Sequence, residues 1–220
     1  MVGSYPSSVW RRPLPRLASL LAWGLVAICA TTIASWSLPG RCGCGRRANE
    51  SAAIATLRNL ASAEDQFRTG AWRDDDHDGR GEFGLLAELA SPTLAPPLLS
   101  SAFRHAQGGR VTRSGYVFQV FLPGPDRNWR SAPPFLADAA EQRFCAYAWP
   151  ARQEAENRRV FMVDQTGTVL AATNTAADGH TPRYLGLERP VAPEAAFPPA
   201  PGPTTRAHRG QDQQVWRAVQ

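Results

Sequence analysis

Residues 114–124 read SGYVFQVFLPG. In an extended chain Tyr116, Phe118, Val120 and Leu122 point to one side, and Val117, Gln119 and Phe121 to the other. Aromatic and β-branched residues favour that state, and Pro123-Gly124 stops it. Working outward, RFCAYAW over 143–149 is a second strand, closed by Pro150. Residues 159–163 and 168–172 make a third and a fourth. They flank Asp164-Gln165-Thr166-Gly167, a four-residue hairpin loop in which Gly supplies a positive φ. No crossover helix separates these strands, so the pattern predicts a small antiparallel meander. Its aromatic runs read as core rather than as a ligand platform.

The helix that packs on this meander lies earlier in the chain. In NESAAIATLRNLASAEDQFR, residues 49–68, Ile54, Leu57, Leu60, Ala61 and Phe67 share a face, and Arg58, Asn59, Glu64, Asp65 and Arg68 lie mostly elsewhere. Asn49 or Ser51 caps it, and it ends near Gly70. Residues 83–89, FGLLAEL, predict a short helix with Phe83, Leu86 and Leu89 buried. From 188 onward the chain is rich in Pro and Ala and poor in apolar periodicity, which predicts a disordered tail over 188–220.

Before all of this comes LASLLAWGLVAICATTIASWSL, which Leu17 opens and Leu38 closes: 22 residues without a charge. At ~1.5 Å per residue a helix of that length covers roughly 33 Å, the thickness of a bilayer core. Trp10 and Trp36 stand near its ends, where indoles prefer the headgroup region. The run predicts a single transmembrane anchor in contact with the lipid bilayer; a cleaved signal peptide is the alternative. Arg11, Arg12 and Arg16 precede it, and Arg41, Arg46 and Arg47 follow. That balance leaves orientation undecided by the positive-inside rule. The short basic tail places the N-terminus inside, by the usual pattern of single-span proteins. The expected organisation is a basic leader over 1–16, the anchor over 17–38, a Gly- and Arg-rich linker over 39–48, one α+β domain over 49–187, and the tail. The expected localisation is a bacterial inner membrane, with the domain outside the cytoplasm.

Net charge is +5, yet all 24 basic residues are Arg and they are dispersed along the chain. No basic run interleaved with aromatics marks a phosphate-binding surface, so nucleic acid is not an expected partner. The four cysteines, Cys29, Cys42, Cys44 and Cys145, contain no C-x-x-C pair. A disulfide from Cys42 or Cys44 to Cys145 and a free, buried Cys145 both stay open.

The sharpest local signal is Asp74-Asp75-Asp76-His77-Asp78-Gly79-Arg80-Gly81-Glu82. Asp74, Asp76 and Asp78 alternate and Gly79 follows, the front half of a calcium loop. In such a loop alternate carboxylates converge on a hard cation and Gly permits the sharp turn. Arg80 would offer a backbone carbonyl at the seventh position, and Glu82 a ligand at the ninth. Leu85 stands at the twelfth, where an EF-hand has a bidentate Glu. The metal-ligand set read from the sequence is therefore Asp74, Asp76, Asp78, Arg80 and Glu82, for Ca²⁺. Elsewhere there is no G-x-S-x-G, no H-x-x-x-H and no phosphate loop. Glu64-Asp65 reads as a solvated helix pair. The chain is thus expected to be no enzyme.

Together, the apolar anchor, residues 49–66, the G-x-L-A-E-L pattern within 84–89 and FCAYAWPARQEAENRRVFMVDQTGTVL over 144–170 resemble the type IV pilin-like group, including the pseudopilins of type II secretion. The resemblance implies a helix packed on an antiparallel sheet, a non-enzymatic envelope role with protein partners there, and a calcium-binding loop. The prepilin Gly, the T-L-x-E that follows it and its early Glu are not found here, which implies a tethered domain that does not polymerise. The expectation is a membrane-anchored structural or interaction protein with a Ca²⁺-stabilised loop. Its alternative is a tethered sensor module that binds a ligand or partner.

Overall fold

The computed structural model describes residues 44–126, 128–152, 159–198 and 207–219. Helix α1 spans Cys44–Thr69, so it starts within the expected linker. Ala53, Leu57, Leu60, Ala63 and Phe67 repeat at three- and four-residue intervals and are buried. Two one-turn helices follow, α2 (Leu86–Leu89) and α3 (Ala137–Ala140).

The strands are β1 (Arg110–Arg113), β2 (Tyr116–Pro123), β3 (Trp129–Arg130), β4 (Cys145–Pro150), β5 (Val160–Asp164), β6 (Leu170–Ala172), β7 (Ala207–Arg209) and β8 (Val215–Ala218). Every pairing among them is antiparallel. The order is β1-β2-β4-β5-β6-β8-β7, with β3 beside the far end of β2. Register fixes the faces. Phe118 opposes Ala148, and Ala148 opposes Phe161, all on the side covered by α1. Val117 opposes Trp149, and Tyr147 opposes Met162, on the other side.

That second side is also a core. Tyr184, Val191, Ala195, Ala196 and Trp216 pack against Tyr147, Trp149 and Met162. The segment expected to be a disordered tail therefore supplies two strands and a lid. Its apolar residues are few, but Trp216 is fully buried, and a buried aromatic side chain removes roughly 150–250 Å² from water. Polar bonds fix the rest. Asp212 accepts from the Tyr184 hydroxyl at 2.7 Å and from the Trp216 indole at 3.2 Å. Asn174 accepts the Tyr184 N–H at 2.8 Å and donates to the Tyr184 carbonyl at 3.0 Å.

These findings correct the expected architecture. In place of a spanning helix and an amphipathic helix on a small pilin-like meander, the described residues form an eight-stranded antiparallel sheet with few helices. No helix among them is long and apolar enough to cross a membrane. The single-pass anchor and the inner-membrane localisation are corrected on that finding; residues 17–38, and with them the expected bilayer contact, lie outside the described residues. Cys145 is free and buried, its thiol 3.7 Å from the Pro193 carbonyl.

Trp216 tests whether the C-terminal strands belong to the core. Trp216→Ala is expected to cost about 3–5 kcal/mol in urea unfolding. A loss below about 1 kcal/mol, the range of surface substitutions, would detach β8 from the core.

Candidate metal centre

The acidic loop is held at its base before any ion is considered. Glu82 N–H donates to the Arg73 carbonyl at 3.1 Å, which closes the loop. Glu82 itself is fully buried, and one of its oxygens accepts the Asp75 N–H at 2.7 Å. Arg73 lies at the centre of the base. It pairs with Glu88 at 3.0 Å, approaches Asp75 and Glu82 at 3.6 and 3.9 Å, and donates to the Phe83 carbonyl. Gly81 passes so close to the end of α1 that a Cβ there would lie 2.3 Å from the Arg68 carbonyl oxygen. Only glycine fits that crossing.

Within the loop each alternate Asp orders the backbone that follows it. Asp74 accepts the Gly79 N–H at 3.1 Å, Asp76 the Asp78 N–H at 3.3 Å, and Asp78 the Arg80 N–H at 2.8 Å. Gly79 takes φ +86, the left-handed region that a tight calcium loop needs. Carboxylate oxygens of Asp74, Asp76 and Asp78 lie within 4.8 Å of one another.

A second group shares one member with this set and draws the others from a distant part of the chain. Carboxylate oxygens of Asp76, Asp138 and Glu141 also lie within 4.8 Å of one another, so Asp76 belongs to both groups. Asp138 and Glu141 come from α3 and its C-cap, three residues apart and hence on one helix face. Two contacts place α3 there. Phe83 N–H donates to the Ala140 carbonyl at 2.9 Å, and the Phe83 ring meets Phe144 at 4.7 Å between centroids. The residue that leaves the acidic loop thus clamps the helix that faces it.

Glu141 is only 7% exposed, and its Oε1 is buried without a hydrogen-bond partner, as is Oδ1 of Asp74. Burial first, then Asp78, Asp76 and Asp138, push the Glu141 carboxyl above its ordinary range, against the pull of Arg80. Arg80 lies exposed and 3.9 Å from Asp78, while Arg73 serves the base of the loop. Two buried acceptors without donors, among five carboxyls and one exposed guanidinium, suit a cation better than they suit water. Oxygens at Ca²⁺ bonding distances of ~2.3–2.6 Å can lie up to roughly 5 Å apart across the ion, so the spacing within each group of three suits calcium.

Asp74, Asp76 and Asp78 are brought together. Glu82 turns away from them and serves the base of the loop, and the Arg80 side chain pairs with Asp78. Asp138 and Glu141, which the sequence reading did not include, lie with Asp76 in the second group; the signal for them was the acidic i, i+3 pair in ADAAE, at 137–141. Glu64, expected to be solvated, is fully buried: its Oε2 accepts the Gly84 N–H at 2.8 Å and its Oε1 has no partner. Burial raises its pKa well above the ordinary value; the Gly84 N–H opposes this, Glu88 adds to it, and Arg73 lowers it. No known protein family, curated protein or solved structure matches this chain.

Glu64 gives a pH prediction. In the unfolded chain it ionises near its ordinary value of 4.5, whereas the fold favours its neutral form. Its contribution to stability is present below that value and is lost as pH rises toward the raised folded pKa. Glu64→Gln is therefore expected to raise the melting temperature relative to wild type above pH ~6 more than below pH ~4. A difference independent of pH would mean that folding leaves the Glu64 pKa unshifted, and one that shrinks as pH rises would mean that the fold favours the charged form.

Proposed function

We propose that this domain is a non-catalytic Ca²⁺-binding module, in which the ion fastens the acidic loop to α3. The observation that carries the reading is Glu141, a buried carboxylate that has one unpartnered oxygen and lies within 4.8 Å of the Asp76 and Asp138 carboxylates. Asp74, Asp76 and Asp78 hold one side of the ion and Asp138 and Glu141 the other. The bond spans segments that otherwise meet through the Phe83 clamp. A hard cation with carboxylate ligands relieves their mutual repulsion and so stabilises the folded form over the unfolded one.

A non-catalytic role accords with where the perturbed groups sit. Burial raises the pKa of Glu64, Cys145 and Tyr147 well above the ordinary values. All three lie within the packed interior of the domain, and the Tyr147 hydroxyl is spent on the Pro193 carbonyl at 2.8 Å. Groups so enclosed serve packing, whereas proton transfer to a substrate needs a titrating side chain within its reach.

Calcium titration tests the proposal. At a free concentration of 100 times Kd, binding to the folded state adds about 2.7 kcal/mol. For a domain of this size that is a rise of about 5–10 °C in Tm. Asp76→Ala removes the ligand common to both groups and is expected to abolish the rise. Glu141→Gln is expected to weaken affinity by about tenfold or more, through loss of the charged oxygen. Mg²⁺ is expected to give a smaller rise, because it demands near-octahedral geometry. An unchanged Tm in millimolar Ca²⁺, or an Asp76→Ala variant that responds like wild type, would remove the metal.

A further inference from the structure

Helix α1 packs on β4 and β5. On the same side of the sheet, β6 and β8 continue beyond it without a covering helix among the described residues. Register puts Arg217 opposite Ala171 and Val215 opposite Arg209 on that face. The result is an open groove of about 1070 Å³, bordered by Ile54, Ala171, Thr173, Arg183, Val215 and Arg217. Val215 is 43% exposed in it.

The charge of the groove is one-sided. Three guanidiniums border it, from Arg159, Arg183 and Arg217, and no carboxylate is found among the described residues that line it. Arg159 is already satisfied by Glu50, at 2.8 and 3.0 Å. Arg183 and Arg217 have no carboxylate partner among the described residues, and the Arg183 Nε is buried without an acceptor. A buried guanidinium N–H left unpaired is costly, and a carboxylate meets the planar fork bidentately.

We propose that this groove binds an acidic, extended peptide segment of a partner protein. Three features select that occupant. The groove exceeds the ~300–1,000 Å³ typical of small-molecule pockets, so a lone small anion would leave most of it empty. On this face of β6 its floor is Ala171, whose short side chain admits a backbone, while Val215 and Ile54 meet the apolar side chains between the acids. No aromatic residue is among its described lining residues, so it lacks the stacking platform by which single-stranded nucleic acid is held. The groove shares no residue with the metal centre, and the proposal stands without the ion.

The test uses the full chain and fluorescence anisotropy with a labelled peptide that alternates Glu with Val. Saturable binding that weakens with salt is expected. Arg217→Glu and, separately, Arg183→Gln should each weaken it about tenfold with far-UV circular dichroism unchanged. Arg113→Gln, on β1 at the opposite edge of the sheet, should stay within about twofold of wild type. The proposal is overturned if a peptide alternating Lys with Val binds as well. It is equally overturned if single-stranded oligothymidylate binds more tightly, or if both arginine variants bind as wild type does.

Discussion

The middle strands of this sheet have no polar face. Tyr116 through Pro123, Cys145 through Pro150 and Val160 through Asp164 are buried at every position. An antiparallel sheet often keeps one side in water. Here apolar side chains emerge on both, so both must be covered or the sheet would present a continuous apolar surface. Helix α1 covers one side. The other requires the chain to come back after residue 184, insert β8 beside β6 and set Trp216 over Tyr147, with ring centroids 6.0 Å apart. Strand order, the position of the C-terminal segment and the open groove all follow from that requirement.

The candidate metal centre depends on the same packing at one remove. Phe83 belongs to the α1-side core and brings with it the end of the acidic loop on one hand and α3 on the other. The carboxylates thus converge because two apolar rings pack, and their mutual repulsion is opposed by the core beneath them. Arg73 adds to this from below: one guanidinium, 13% exposed, serves Glu88, Asp75 and Glu82 and anchors the loop without facing its interior.

Local periodicity made much of this readable. The alternation in SGYVFQVFLPG marked β2, and the apolar spacing in 49–68 marked most of α1. The three alternate Asp residues of the loop were legible because their spacing is itself the mechanism of convergence. What escaped was information held at long range. Val117 and Phe121 oppose the first apolar set of β2, and with Trp149 and Met162 they were the evidence for a second covered face. Nothing in the weak periodicity beyond residue 188 named the segment that covers it. Asp138 and Glu141 were missed because their partners lie on a loop far away in sequence, and Glu64 because a helical wheel assigns it to a polar flank while Gly84 passes over it. The apolar run over 17–38 was read from hydropathy alone, and it governed an architecture that the described residues do not share.

The return of the chain also imposes an order in time. A ribosome delivers this polypeptide from the N-terminus, and the strands that pair early, β2 with β4 and β4 with β5, are complete well before β8 exists. Until Trp216 has been made, the Tyr147 and Trp149 face of a nascent sheet lacks its largest cover and lies partly against water, or a chaperone. Pairing β6 with β8 bridges the long excursion between them, and such distant contacts form late. The side of the molecule that is most deeply hidden in the finished fold is therefore the side most exposed during synthesis.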